Sequence, residues 1–144
     1  QIAHAKDNIN TITDAQTNQI ILKNSVNAAS AATLTSRIGI TSQIIIPVGP
    51  SGQGAIAFDM QIVALEDSSN NYATHINVKG LAKVGPGGTS IVGSVTYITV
   101  SQDTTVHKVQ VSASSGELRV EAINQSPSFK ANFVAYVRYT QTVI

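Results

Sequence analysis

From Ile40 to the C-terminus, apolar and polar residues alternate with a period of two. In an extended chain that pattern sends successive side chains to opposite faces. Ala55 to Glu66 shows it most plainly: Ile56, Phe58, Met60, Ile62 and Ala64 share one face, with Asp59 and Gln61 on the other. Tyr72 to Val84 repeats it, with Tyr72, Thr74, Ile76 and Val78 opposed to His75, Asn77 and Lys79. The last segment, Asn132 to Thr142, sets Phe133, Ala135, Val137 and Tyr139 against Val134, Tyr136 and Arg138. Shorter strands are predicted over Gln43 to Val48 and Ile91 to Val100, where Gly93 marks a bulge or a close backbone approach. Val106 to Ala113 and Glu117 to Ile123 form a hairpin around Ser114-Ser115-Gly116. Turn signals separate these runs at Pro47-Val48-Gly49-Pro50, Ser51-Gly52-Gln53-Gly54, Asp67-Ser68-Ser69-Asn70-Asn71 and Gly85-Pro86-Gly87-Gly88. Seven or eight strands with short turns and no intervening helix predict an all-β, antiparallel, jelly-roll-like sandwich over residues 40–144. Without a βαβ unit, a parallel sheet is not expected.

Residues 1–39 read differently, as a lead-in to that sandwich. Ile2, Ala5, Ile9, Ile12, Gln16 and Gln19 fall at heptad spacing, which suits a short coiled-coil seam with glutamine at two core positions. Asn, Thr and Asp between them are weak helix formers, so an extended lead-in fits equally. Asn27-Ala28-Ala29-Ser30-Ala31-Ala32 is small and mildly helical, and reads as linker. The chain starts at Gln1 with no visible signal peptide, and a trimmed fragment is the expectation.

Composition narrows the partners. Charged residues make up 12% and the formal net charge is +1, with nine basic residues scattered from Lys6 to Arg138. Nucleic acid and anionic membrane surfaces need clustered Lys and Arg, so neither is expected as a partner. Apolar runs such as Ile44-Ile45-Ile46 are far too short to insert in a membrane as a helix. There is no cysteine, which removes disulfides, thiolate metal ligands and a thiol nucleophile. Ser, Thr, Asn and Gln alternating with Ile and Val suit strands covered on more than one side, as in an oligomer.

Hydrolytic chemistry needs paired acids, or a nucleophile beside a base. The eight acids are Asp7, Asp14, Asp59, Glu66, Asp67, Asp103, Glu117 and Glu121. Glu66 and Asp67 are adjacent at a strand end, where solvated carboxylates are expected. Glu117 and Glu121 share a face opposite Leu118 and Val120, and read as solvent-facing; a glycosidase dyad needs a cleft that a flat sheet does not offer. His4, His75 and His107 fall in no HxH or HExxH spacing, so they read as polar residues at outward or inter-subunit positions. Only repetition about a three-fold axis would make a metal site of His75 or His107. The glycine-rich turns lack the helix and lysine of a phosphate cradle. Tyr72, Tyr97, Tyr136 and Tyr139 have rings suited to stacking on sugars, but strand tyrosines more often pack with a wet hydroxyl. No catalytic residue, ligand-binding residue, metal or cofactor is assigned.

The order of segments from Phe58 to Val143 resembles a C-terminal β-sandwich module of bacteriophage tail fibres and other virion structural proteins. The matching pieces are FDMQIVALED (58–67), Tyr72-Ala73 with INVKGLAKV (76–84), TSIVGSVTYITV (89–100), HKVQVSASSGELRVEA (107–122) and NFVAYVRYTQTV (132–143). From Phe58 to Val143 the resemblance spans about three-fifths of the chain. Where the family carries Trp at the start of the last strand this chain has Phe133, and where it carries Trp in the strand leading to the hairpin this chain has His107. Both keep a ring, and any role specific to indole is not carried over. The resemblance implies a non-enzymatic virion component made in the host cytoplasm, homotrimeric, and placed with other virion proteins on the tail or capsid surface. Recognition of host surface polysaccharide is the function it suggests. Capsid decoration, or the terminal domain of a polysaccharide-degrading tailspike, are the alternatives.

Overall fold

A computed structural model describes residues 2–3, 16–36 and 44–144. Among the described residues every regular element is a strand: β1 (Ile2–Ala3), β2 (Gln16–Val26), β3 (Ser30–Thr33), β4 (Ile44–Ile45), β5 (Gly54–Glu66), β6 (Ala73–Gly85), β7 (Gly88–Ile91), β8 (Thr96–Gln102), β9 (His107–Ser114), β10 (Glu117–Asn124) and β11 (Ala131–Val143). They form two antiparallel sheets, as the period-two pattern predicts. The larger runs β1-β2-β11-β5-β6, with β7 and β8 placed one after the other along the far side of β6. In the smaller, β10 is central, with β9 on one side and β3 and β4 on the other.

The predicted faces of the three long strands are the observed ones, except that Tyr72, set on the inward face with Thr74, precedes β6 and is exposed. Phe58, Met60, Ile62 and Ala64 on β5, Thr74, Ile76 and Val78 on β6, and Phe133, Ala135 and Val137 on β11 are all buried. Direct cross-strand pairing puts Ala135 beside Ile62 and Val137 beside Met60, so these side chains form continuous apolar rows. Leu118, Val120 and Ala122 of β10 close the core from the other sheet. Phe58 lies opposite Gly80, where an added Cβ would sit 2.5 Å from the Phe58 ring. The missing side chain leaves room for the ring. The β9–β10 hairpin turns at Ser115 and Gly116, whose φ values of 52° and 77° are both positive, as a tight two-residue connection with the strands' own twist requires.

Three expectations are corrected. Residues 16–36 are not a lead-in outside the sandwich: β2 is paired with β11 from Gln16 to Val26, and β3 pairs with β10. Asn18 is buried on the inner face of β2 beside Leu22 and Val26, and this polar residue interrupts the alternation that marks the other strands. Gln16 and Gln19 are therefore strand residues, and Ser30–Thr33 is strand rather than linker. Ala5, Ile9 and Ile12 of the supposed heptad lie outside the described residues, while Ile2 and Ala3 pair with Gln19 and Asn18. Second, the run from Ile91 to Val100 is two strands, and Gly93 is neither a bulge nor a close approach. It sits between them at φ +69 with nothing within 4 Å of a Cβ. Third, the strand expected over Gln43 to Val48 is only Ile44–Ile45 among the described residues.

One end of the sandwich is held by a buried amide. Asn124, the last residue of β10, donates from Nδ2 to the carbonyls of Val26 (3.1 Å) and Phe129 (2.9 Å) and accepts the Ser126 N–H at 3.1 Å. Ser126 extends the junction, its hydroxyl accepting the Phe129 N–H and its carbonyl the Ala29 N–H. Backbone groups of three chain segments are thus satisfied without water. Replacing Asn124 with Ala leaves those carbonyls buried without a donor, at a cost of about 2–3 kcal/mol. A urea denaturation series is expected to show that loss as a lower midpoint with an unchanged slope.

Candidate functional site

The small sheet is narrower than the large one, and the mismatch leaves a groove. Tyr97 and Thr99 of β8 pair with Val78 and Ile76 of β6, whose side chains point inward. They therefore face the same way, but every residue of β8 is exposed. β8 overhangs the free edge of β9, and Tyr97 spans the gap: its Oη accepts the Val111 N–H at 2.8 Å. That amide lies on the side of β9 away from β10, so the phenol satisfies an otherwise open edge donor. Beside it runs a groove of about 360 Å³ lined by Ile76, Tyr97, Thr99, Gln102, Thr105, His107, Lys108 and Val109. Tyr97 remains 43% exposed there, so the ring is held at its tip and open along its body.

His107, the first residue of β9, stands at the floor of the groove. It is 3% exposed, which overturns the expectation of an outward position. The cause is strand parity: His107 shares a face with Val109 and Val111, and that face meets the large sheet. Nδ1 lies 3.0 Å from Thr74 Oγ1 across the two sheets, and the ring meets Phe133 edge to face at 5.7 Å. Nε2 has no hydrogen-bond partner among the described residues. Burial holds the imidazole below its ordinary value of 6.5, against the pull of Glu66 and Asp103. Glu66 is a second correction. It is buried rather than solvated, because it continues the inward row of Ile62 and Ala64, and it accepts the Ser68 hydroxyl at 2.6 Å.

The other acids are engaged separately. Asp59 pairs with Arg138 at 3.6 Å, Asp67 with Lys130 at 3.8 Å and Glu117 with Arg119 at 4.0 Å. Asp103 accepts the Ala73 N–H at 2.6 Å. Glu117 and Glu121 are half-buried on the side of β10 away from Leu118 and Val120. No group of three His, Asp or Glu suited to a metal ion occurs among the described residues. His75 is half-buried on the outer face of the large sheet, and His4, Asp7 and Asp14 lie outside the described residues. Tyr72 and Tyr136 are exposed apart from the groove, and Tyr139 is half-buried with its phenol pushed up by burial. A second groove, of about 440 Å³, runs beside the Gly85–Gly88 turn with Gln53, Lys83, Ser90 and Thr142 in its walls. It contains no aromatic ring. Of all the residues singled out in the sequence, Tyr97 and His107 are brought to one place, and no spacing signal joined them.

No protein-family model matches the chain, and no curated protein does. Among solved structures the chain is similar to the tailspike protein gp49 of Acinetobacter baumannii bacteriophage Fri1, a capsular polysaccharide depolymerase. That likeness has 14% identity over 88% of this chain and 18% of that one, with a TM-score of 0.39. The tailspike protein of Acinetobacter baumannii phage AM24 is similar at 9% identity over 89% of this chain and 26% of that one, with a TM-score of 0.38. The chain thus spans between 18% and 26% of the length of these two tailspikes.

The His107 environment sets a pH dependence of stability. A protonated ring would carry an N–H on Nε2 with no acceptor, so as pH falls the unfolded chain takes up the proton first. The contribution of the neutral ring is complete above 6.5 and is lost as pH falls through the lowered folded value. Urea midpoints are expected to be lower at about pH 5 than at about pH 7.5, with the difference reduced in His107→Gln. Equal pH dependence in the two proteins would rule His107 out as its source.

Proposed function

We propose that the chain is a non-enzymatic structural module of a bacteriophage tail fibre or spike, assembled as a homotrimer with other virion proteins and presented to host surface polysaccharide. The observation that carries this reading is the ordered set of five segments between Phe58 and Val143. They fall on β5, β6, β7 with β8, the β9–β10 hairpin and β11, and so draw on both sheets. A resemblance confined to one hairpin would carry much less.

The surface supports assembly. On the outer face of the large sheet Val134 lies directly opposite Val63, and Tyr136 directly opposite Ile21, with Leu65 next along β5. All five are between 39% and 53% exposed. A contiguous apolar row of this kind on a sheet's solvent side fits burial against neighbouring copies. A non-enzymatic role is favoured by the scatter of the acids: among those described, Asp59, Asp67 and Glu117 each lie beside a different cation, Glu66 by a hydroxyl and Asp103 by a backbone amide, with Glu121 apart from them on β10.

Light scattering of the purified protein is expected to give three times the 15.1 kDa chain mass. Val63→Lys is expected to lower it without changing the circular dichroism. Antibody-labelled virions should carry label on the tail. Label on the capsid shell instead would favour a decoration protein, and turnover of host polysaccharide by this chain alone would favour a depolymerase domain.

A further inference from the structure

We propose that the groove between β8 and β9 is a saccharide subsite that takes one or two pyranose rings, with Tyr97 as the platform on which a ring stacks. This inference rests on the fibre-or-spike reading and gives its polysaccharide a place on the molecule.

A pyranose has an apolar C–H face and a rim of hydroxyls, so a site for it needs a flat apolar surface bordered by donors and acceptors. Tyr97 supplies the surface. Its hydroxyl is engaged with the Val111 N–H at 2.8 Å, while much of the side chain stays open. An aromatic ring already anchored at one end loses little freedom when a ligand settles on it. The rim is formed by Thr99, Gln102, Thr105 and Lys108, all lining the same groove. Lys108 is the only charged residue in that lining, so a ring carboxylate is tolerated as well as a hydroxyl.

A second observation, independent of the aromatic ring, points the same way. His107 lines the groove, and its buried Nε2 has no partner among the described residues. An unpartnered polar atom in a groove wall is uncommon in a well-matched interior, and contrasts with the satisfied amide of the Asn124 junction. The volume of about 360 Å³ lies at the small end of ligand sites, which run from roughly 300 to 1,000 Å³. It suits a short unit of a polymer. The second groove, beside the Gly85–Gly88 turn, has polar walls but no ring to stack on.

The chain has four tyrosines and no tryptophan, so tyrosine fluorescence includes Tyr97, and loss of the change in Tyr97→Phe assigns it to the site. The probes are neutral and uronic-acid oligosaccharides of one to six rings, displayed on an array and then titrated in solution. Wild-type protein is expected to bind at least one of them with a fluorescence change. Tyr97→Ala is expected to weaken that binding about tenfold or more, and Tyr97→Phe to keep it within about threefold. Gln102→Ala, which leaves the Tyr97–Val111 bond intact, is expected to weaken it severalfold and covers the case in which Tyr97→Ala does not fold. Ser90→Ala in the other groove is expected to change nothing. Saccharide binding by wild type that survives both Tyr97→Ala and Gln102→Ala overturns the subsite and leaves the polysaccharide role standing. Failure of wild type to bind any saccharide or to adsorb to host cells removes both.

Discussion

The structure depends on the burial of one face of the β5–β11 pair. These two strands run side by side for 13 residues each, flanked by β2 and β6, and their inward rows meet β10 of the small sheet. Every other element is placed by reference to that contact. β10 covers the middle of the large sheet, and β9, β3 and β4 extend its cover only part of the way. Beyond that cover, β8 is exposed along its whole length. The overhang of β8, and with it the groove, is a consequence of joining two sheets of unequal breadth.

Polar groups inside this core are accommodated in two ways. Asn124 is surrounded by backbone partners at the closed end of the sandwich, where its amide substitutes for water and ties β2, β10 and the turn before β11 together. His107 is less completely matched: Thr74 meets one ring nitrogen and Phe133 the ring edge, but the second nitrogen has no such neighbour. The first arrangement lowers the free energy of the fold and does little else. The second leaves an incompletely satisfied group beside an accessible groove, which is the combination that distinguishes a binding surface from a well-matched interior.

The two faces of the large sheet suggest a division of labour. Its outer face carries Val63, Val134, Ile21 and Tyr136 in an exposed row suited to burial by other copies, with the Asp59–Arg138 ion pair on the same face. Its overhanging inner edge carries Tyr97 beside hydroxyls and an amide. Assembly through the first would leave the second open to solvent.

The alternation of side chains was enough to determine the strands of β5, β6, β9, β10 and β11, the apolar rows that β5, β6 and β11 bury, and the turn at Ser115-Gly116, because period-two patterning is a local property of extended chain. Parity also placed Glu66 inside, a consequence of its spacing from Ile62 and Ala64 that its charge obscured. β2 was hidden for the opposite reason: Asn18 occupies an inward position, so the strand shows no clean apolar row. The groove was not legible at all. It requires Tyr97 of β8 to reach Val111 of β9, two strands in different sheets, and its existence follows from the difference in their widths. Local sequence sets which way a side chain points; only the packing of one sheet on another decides whether anything lies opposite it.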